Sequence, residues 1–272
     1  MTLLLKNEKD KVCYTRVNSY REGVNVMKID FIIPSYHSRE LTSLCLMSFE
    51  KYKGQNEFNY IVVENSTDTS YKEDILSISD NIKWVQNPTD LKNSEANAIA
   101  IEKGLPYVQS EYVFICHNDV VACRENWLDF LIEQLDFNTV AAGYVLDNCR
   151  IGALHISGML VKTKIAKSVD MRPVYDRNIQ VLDVGDSITQ YCRENDLKYF
   201  SCKNTHNDES LHEHCKPPYG SLQFVDRAFD SDDNVIFLHL GRGAPKTLGS
   251  YWKSNRMGLK EWASFVKTYI LS

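Results

Sequence analysis

Glycine and proline are scarce in this chain, at 12 and 7 of 272 residues, which excludes a collagen-like or low-complexity protein. No apolar run approaches the roughly 20 residues that a membrane-spanning helix needs; Tyr112–Cys116 and Val235–Leu238 are among the longest. The opening residues, MTLLLKNEKD, hold too few leucines for a secretory segment of about 7–15 apolar residues. A cytoplasmic chain with no transmembrane segment is therefore expected, with membrane contact limited to its periphery through a partner or a lipid substrate. Excess positive charge is missing too: 31 Lys+Arg face 36 Asp+Glu, a net charge of −5. That balance argues against nucleic-acid binding, which wants a basic surface, but leaves room for a local basic pocket around a phosphorylated ligand.

What is present suits an ordinary packed core, with 43% hydrophobic and 11% aromatic residues. The 8 cysteines read as free thiols of a reducing compartment, and Cys45, Cys116 and Cys192 sit inside apolar patterns. Residues 1–27 are polar with little periodicity and read as an N-terminal extension. From Ile29 a rhythm begins. Strands are expected at Ile29–Pro34, Phe58–Glu64, Ile82–Gln86 and Glu111–Cys116. Helices are expected from Arg39, over Tyr71–Ile78, over Ser94–Lys103 (Ser94 as N-cap, Gly104 as stop) and over Asn126–Leu135. Continuous apolar strands alternating with helices predict βαβ units and a mainly parallel sheet covered on both faces. Beyond residue 138 the pattern is mixed: strands at Val140–Leu146, Ile156–Lys162, Leu197–Ser201 and Val235–Leu240, with a helix over Asp186–Asn195. No linker or repeat interrupts it, so 28–272 reads as one α/β domain.

Ligands of open α/β sheets bind where the strands end, so the residues just past each strand are the informative ones. The first strand ends in Pro34-Ser35-Tyr36-His37, without the G-x-G-x-x-G of a dinucleotide-binding turn. GRGAPKT at Gly241–Thr247 lacks the glycine that a phosphate-binding loop places before its lysine. The second strand ends in Glu64-Asn65-Ser66-Thr67-Asp68. A carboxylate there can accept the imide N–H of a uracil ring, while Asn65 to Asp68 read as a turn. The fourth ends in Cys116-His117-Asn118-Asp119-Val120. On extended backbone His117 and Asp119 would point to one side and share a divalent cation, Mg²⁺ or Mn²⁺, with the imidazole tilting the choice toward Mn²⁺. The same two residues could instead simply cap the loop.

Together FIIPSY, IVVENSTD, VFICHNDV and DVGDSITQYCREND (Asp183–Asp196) resemble, in order and spacing over roughly residues 29–256, the family 2 glycosyltransferases with the GT-A fold. His117 stands where that family usually has the first aspartate of D-x-D, as in its H-x-D-V branch, and Gly185 stands where paired acids are common. The resemblance implies a nucleotide-binding half over 28–124 and an acceptor-binding half over 125–272. It implies that Pro34 and Tyr36 line the nucleotide pocket, that Glu64 holds the base, and that Asn118 and Arg242 contact the donor. Asp119 and His117 would hold the metal, with His239 as a late metal or diphosphate contact. Asp186 would be the base that deprotonates the acceptor hydroxyl, with Asp183 as its substitute. The expected donor is a nucleotide-sugar, UDP-linked; the expected acceptor is a glycan or a lipid-linked or protein-linked sugar, and the outcome is inversion in glycan biosynthesis. The rivals are a non-catalytic nucleotide-sugar or glycan-binding module and a sugar nucleotidyltransferase.

Three further features carry weaker signals. Cys202, His206, His212, His214 and Cys215 crowd one stretch, where zinc or an acceptor-side loop are both open readings. Tyr251, Trp252 and Trp262 read as core before they read as sugar-stacking rings. The basic segment with Arg242, Lys246, Lys253 and Arg256 reads as a loop able to close over a diphosphate.

Overall fold

The computed structural model of the chain describes residues 26–147, 150–215, 217–222, 225–243 and 257–272. Most of the expected N-terminal extension, Tyr251, Trp252 and the basic residues Lys246, Lys253 and Arg256 lie outside them.

The first half is the alternating unit that the apolar runs predict. β1 (Lys28–Ser35), β2 (Glu57–Glu64), β3 (Ile82–Gln86) and β4 (Tyr112–Ile115) alternate with α1 (Arg39–Lys51), α2 (Lys72–Leu76) and α3 (Asn93–Gly104). Then come β5 (Val120–Ala122), α4 (Trp127–Ile132), β6 (Thr139–Val145), β7 (Leu154–Lys162) and α5 (Thr163–Ala166). The remaining elements are β8 (Val174–Asp176), β9 (Ile179–Leu182), α6 (Asp186–Glu194), β10 (Lys198–Ser201), β11 (Lys203–Asn204), α7 (Leu211–His214), β12 (Asp226–Phe229), β13 (Val235–His239) and α8 (Leu259–Phe265).

Seven strands form the main sheet in the order β10-β6-β7-β4-β1-β2-β3. β1 pairs in parallel with both β2 and β4, and β2 with β3, while β7 runs antiparallel between β4 and β6. β1 is apolar on both faces because both are covered. Phe31 and Ile33 join α1 and α4 on one side, and Ile32 joins α3, α5 and α6 on the other. Phe31 lies within 4.7–5.2 Å, centroid to centroid, of Phe49, Phe58, Tyr60 and Phe114. Such pairs add about 0.5–1.5 kcal/mol each beyond their burial. Pro34 is tolerated in this central strand because β4 pairs only as far as Ile32, leaving Pro34 opposite Val63 of β2 alone.

A second sheet, β11-β12-β13-β5, is antiparallel and was not legible as such in the sequence. It packs with α1 and α8 through Leu41, Val121, Leu238 and Trp262. Trp262 is fully buried, as its reading as core requires. The six described cysteines are free thiols, five of them buried.

One expectation about α3 needs correction. Lys92, not Ser94, occupies the cap position, with extended backbone. Gly104 is the last residue of α3, as expected; it keeps helical backbone, and a Cβ there would lie 2.9 Å from Ile32 Cγ2. Its smallness serves the packing of α3 on β1.

Gly143 of β6 is under a harder constraint: an added Cβ would stand 2.6 Å from the backbone oxygen of Gly158 on β7. A carbonyl held in a ladder cannot move aside cheaply. Gly143→Ala is expected to lower the free energy of unfolding by about 1–3 kcal/mol in urea titration; an unchanged midpoint would refute this account of the contact.

Candidate functional site

The parallel strands all end on one edge, and the predicted site residues gather there. Ser35 of β1 is in register with Glu64 of β2, and the turn after β4 carries His117, Asn118 and Asp119. His117 and Asp119 are brought together by that turn, closed by the Val120 N–H donating to the His117 carbonyl at 3.3 Å, and not by extended backbone as expected.

β13 supplies the third group. Its antiparallel ladder with β5 sets His239 opposite Val120, and the Leu240 N–H donates to the Asp119 carbonyl at 3.1 Å. His239 Nε2 thereby lies 3.3 Å from His117 Nδ1 and 3.4 Å from Asp119 Oδ1. Among the described residues, His117, Asp119 and His239 form the group of His, Cys, Asp or Glu side chains close enough to share a metal ion, their ligand atoms all within 4.8 Å. Asp119 Oδ2 also accepts the Gly243 N–H at 3.0 Å. A Cβ on Gly243 would meet Asp119 and Leu41 below 3.0 Å, so only glycine lets this segment lie on the acid. Arg242, exposed and with left-handed backbone, is near enough for its charge to act on His117.

Two imidazoles and one carboxylate are a suitable donor set for a divalent first-row cation, and three protein ligands leave positions for oxygen atoms of a substrate. The chemistry of the residues therefore fits a metal.

Neighbouring charges set the protonation of this group. Burial disfavours a charge on His239, but Asp119 and Asp226 outweigh it and raise its pKa to about 10. Asp226 Oδ2 is 3.3 Å from His239 Nδ1. Burial, and then the charge of His239, push His117 down to about 4.

The residues expected on the nucleotide side fall into place differently. Tyr36 is exposed, its ring edge-on to His37. Glu64 is fully buried: Oε1 accepts the His37 N–H at 3.2 Å and the Ser66 N–H at 3.0 Å, and Oε2 accepts the Tyr71 hydroxyl. Its carboxylate thus ties together the loops leaving β1 and β2. Asn118 points inward and donates to Thr42 Oγ1 at 3.0 Å. Thr42 Oγ1 is 3.1 Å from Ser35 Oγ, which lies 3.3 Å from Tyr71 Oη, so a chain of polar contacts joins Glu64 to the metal-group turn.

Asp186, expected on the acceptor side, opens α6 and is buried, held by Arg150 through Nε at 2.6 Å and Nη2 at 3.3 Å. It also accepts the Asp183 N–H at 2.8 Å. Asp183 Oδ1 accepts from Gln180 at 2.9 Å, and Oδ2 is 3.7 Å from Arg150.

Sequence reasoning missed His155, Tyr144, Ser157, Asp226 and Arg150. The alternation of β7 places His155 and Ser157 on one face, a signal present in LHISG but mute without the fold. The Cys/His stretch does not converge: Cys202 is buried, His212 contacts Arg227, and Cys215 and His214 bond to carbonyls of Leu211 and Ser210.

No protein-family model and no curated protein matches the chain. Among solved structures it is similar to mannosyltransferase PcManGT from Pyrobaculum calidifontis, in complex with GDP-Man and Mn²⁺, with TM-score 0.52 and 12% identity over 65% of this chain and 55% of that one. The chain thus spans about half the length of that protein. It also matches glucosyl-3-phosphoglycerate synthase from Mycobacterium tuberculosis, with Mn²⁺ and UDP-Glc (TM-score 0.45, 11% identity, 64% of this chain and 68% of that one). A further match is S. aureus TarS with UDP (TM-score 0.42, 22% identity, 54% and 50%). The first of these likenesses defines the architecture: the chain has the GT-A fold, as its motifs imply.

Protonation of His239 links the site to stability. Its folded pKa, about 10, exceeds the ordinary 6.5, so its contribution is complete below about pH 6.5 and fades as pH rises through about 10. Metal-free protein is expected to lose urea resistance across that window, and His239→Gln to flatten the loss; an equally steep decline in the variant would exclude His239 as its source.

Proposed function

We propose that this chain is a metal-dependent glycosyltransferase that moves a sugar from a nucleoside-diphosphate sugar, UDP-linked, to an acceptor hydroxyl with inversion. The observation that carries the reading is the convergence of His117, Asp119 and His239 at the carboxyl edge of a GT-A sheet. That is the place where an open α/β sheet receives its ligand. The complex of the similar mannosyltransferase with GDP-Man and Mn²⁺ supports the same class of donor. Acceptors of the expected kind are a glycan or a lipid-linked or protein-linked sugar. No described helix is long and apolar enough to cross a membrane.

His117, Asp119 and His239 would hold Mn²⁺ or Mg²⁺, which supplies positive charge to the departing diphosphate. Arg242 adds a cation on the same side and needs no proton transfer to do so. Tyr36 offers an exposed ring face for the base, and Pro34 and Glu64 hold the walls of that pocket: Glu64 acts through the loops it ties. Asp186 takes the acceptor proton. The arginine beside it engages both carboxylate oxygens, and one Arg150 contact must yield before a hydroxyl can approach.

That Arg150–Asp186 pair is also the observation favouring the second reading, a nucleotide-sugar-binding module without turnover. Two experiments separate them. UDP or GDP with MnCl₂, at about a hundred times its dissociation constant, is expected to stabilise the protein by about 2.7 kcal/mol in thermal unfolding. Asp119→Asn is expected to abolish the part of the gain that depends on Mn²⁺; a gain that survives in this variant removes Asp119 from the metal group. Asp186→Asn is expected to keep donor binding and cut transfer at least ~100-fold. Near-normal transfer would take the base role away from Asp186, and the absence of transfer by the unaltered chain from any UDP- or GDP-sugar would favour the module.

A further inference from the structure

Beside the metal group lies a polar cluster that no motif announces. Tyr144 Oη, on β6, is 3.3 Å from His239 Nδ1, 3.0 Å from His155 Nδ1, and in contact with Ser157 Oγ. Ser157 Oγ is itself 2.5 Å from His155 Nδ1. Three imidazoles form a triangle, with ring centroids 5.3 Å apart for His117 and His239, 5.7 Å for His155 and His239, and 5.9 Å for His117 and His155. His155 is nevertheless not a member of the three-residue metal group. Both of its short contacts engage the same nitrogen, and the residue is only partly buried.

The direction of these hydrogen bonds follows from the metal group. When His239 presents Nε2 to a cation, its proton must sit on Nδ1, where it faces the Asp226 carboxylate and the Tyr144 oxygen. Tyr144 then accepts rather than donates along that contact, and its own hydroxyl proton goes to Ser157 or His155. A hydroxyl proton from Tyr144 or Ser157 is thereby directed at His155 Nδ1. An imidazole whose Nδ1 accepts carries its proton on Nε2.

We infer that His155 is a further substrate-binding residue, its Nε2–H donating to an oxygen of the metal-bound nucleoside diphosphate, with Tyr144 and Ser157 as the positioning residues that fix its tautomer. The inference rests on the glycosyltransferase reading and deepens it. It gives the site a neutral donor beside the cation, at a distance from the metal group that lets it touch the ligand's oxygens without competing for the metal. No proton is transferred: the imidazole lends a hydrogen bond that strengthens as charge builds on the leaving diphosphate.

Calorimetry on the full chain, with MnCl₂ alone and then UDP and GDP in the presence of MnCl₂, tests it together with nitrogen-15 NMR of the histidine rings. His155→Ala is expected to leave Mn²⁺ binding unchanged and to weaken diphosphate binding about tenfold or more, the usual size of a hydrogen bond to a charged group. The unaltered chain is expected to give a pyridine-type Nδ1 and a pyrrole-type Nε2–H for His155 in the Mn²⁺-free and Mg²⁺-loaded protein. Tyr144→Phe, which keeps the ring and its packing, is expected to weaken diphosphate binding in the same direction and to mix the two tautomers. Unchanged diphosphate affinity in both variants, an Nδ1–H tautomer, or loss of Mn²⁺ binding in His155→Ala would each overturn the assignment. If the unaltered chain binds neither diphosphate, the glycosyltransferase reading itself fails, a result distinct from equal binding by chain and variant.

Discussion

The site depends on one short ladder. Three residues of β13 pair with three of β5: Phe237 with Ala122, Leu238 with Val121, and His239 with Val120. Side chains alternate across a strand, so a slip of one residue would turn His239 away from Asp119 and bring Leu238 in its place. The slip is prevented from both sides of the sheet. Leu238 is buried in the cluster with Val121 and Trp262, and Phe237 in the one with Ala122 and Trp127. Apolar packing thus fixes the meeting of residues that lie more than a hundred positions apart. The same register carries Leu240 onto the Asp119 carbonyl, and Gly243 onto the Asp119 carboxylate.

How far the sequence could reveal this differs between the halves. In the first, the central strands β1, β2 and β4 are mainly apolar runs ended by polar residues, because a parallel strand covered on both faces is largely apolar on both; the edge strand Ile82–Gln86 and the helix from Arg39 are found where the pattern puts them. Glu64 and Asp119 could be assigned to one edge for the same reason: both follow parallel strands. The second sheet was hidden because β5, β11 and β12 have three, two and four residues, too short to display a period. His155 and Asp226 were hidden for another reason. Their importance comes from what faces them across the fold, and neither lies in a motif.

Glu64 and Asp186 illustrate what a motif can and cannot say about a carboxylate. Both were singled out for their places after β2 and at the head of α6, and both are buried. The oxygens of each are met by donors, as those of a buried acid must be. Glu64 has Tyr71 and two backbone N–H groups, and Asp186 has Arg150 and the Asp183 N–H. The partners decide the part that each can play. Backbone donors make Glu64 a fixed strut between the loops that leave β1 and β2. A long arginine side chain makes the Asp186 contact one that can be exchanged, since Arg150 can swing while a backbone amide cannot.

Histidine rather than aspartate at position 117 has an electrostatic consequence for the whole edge. A D-x-D pair would bring two negative charges to the turn; His117-x-Asp119 brings one, and His117 is held neutral. Asp119 and Asp226 flank His239, and in the metal-free chain a proton on His239 balances them. A divalent cation bound at His239 Nε2 must displace that proton, so the local charge rises by one unit rather than two. The proton therefore stands in for the cation, holding His239 against Asp119 and keeping the ligand atoms together before any metal arrives. A site built from carboxylates alone would repel itself in that state. On the proposed reading, the cost would move to the competition between proton and metal, and cation affinity would rise with pH until His239 is no longer protonated.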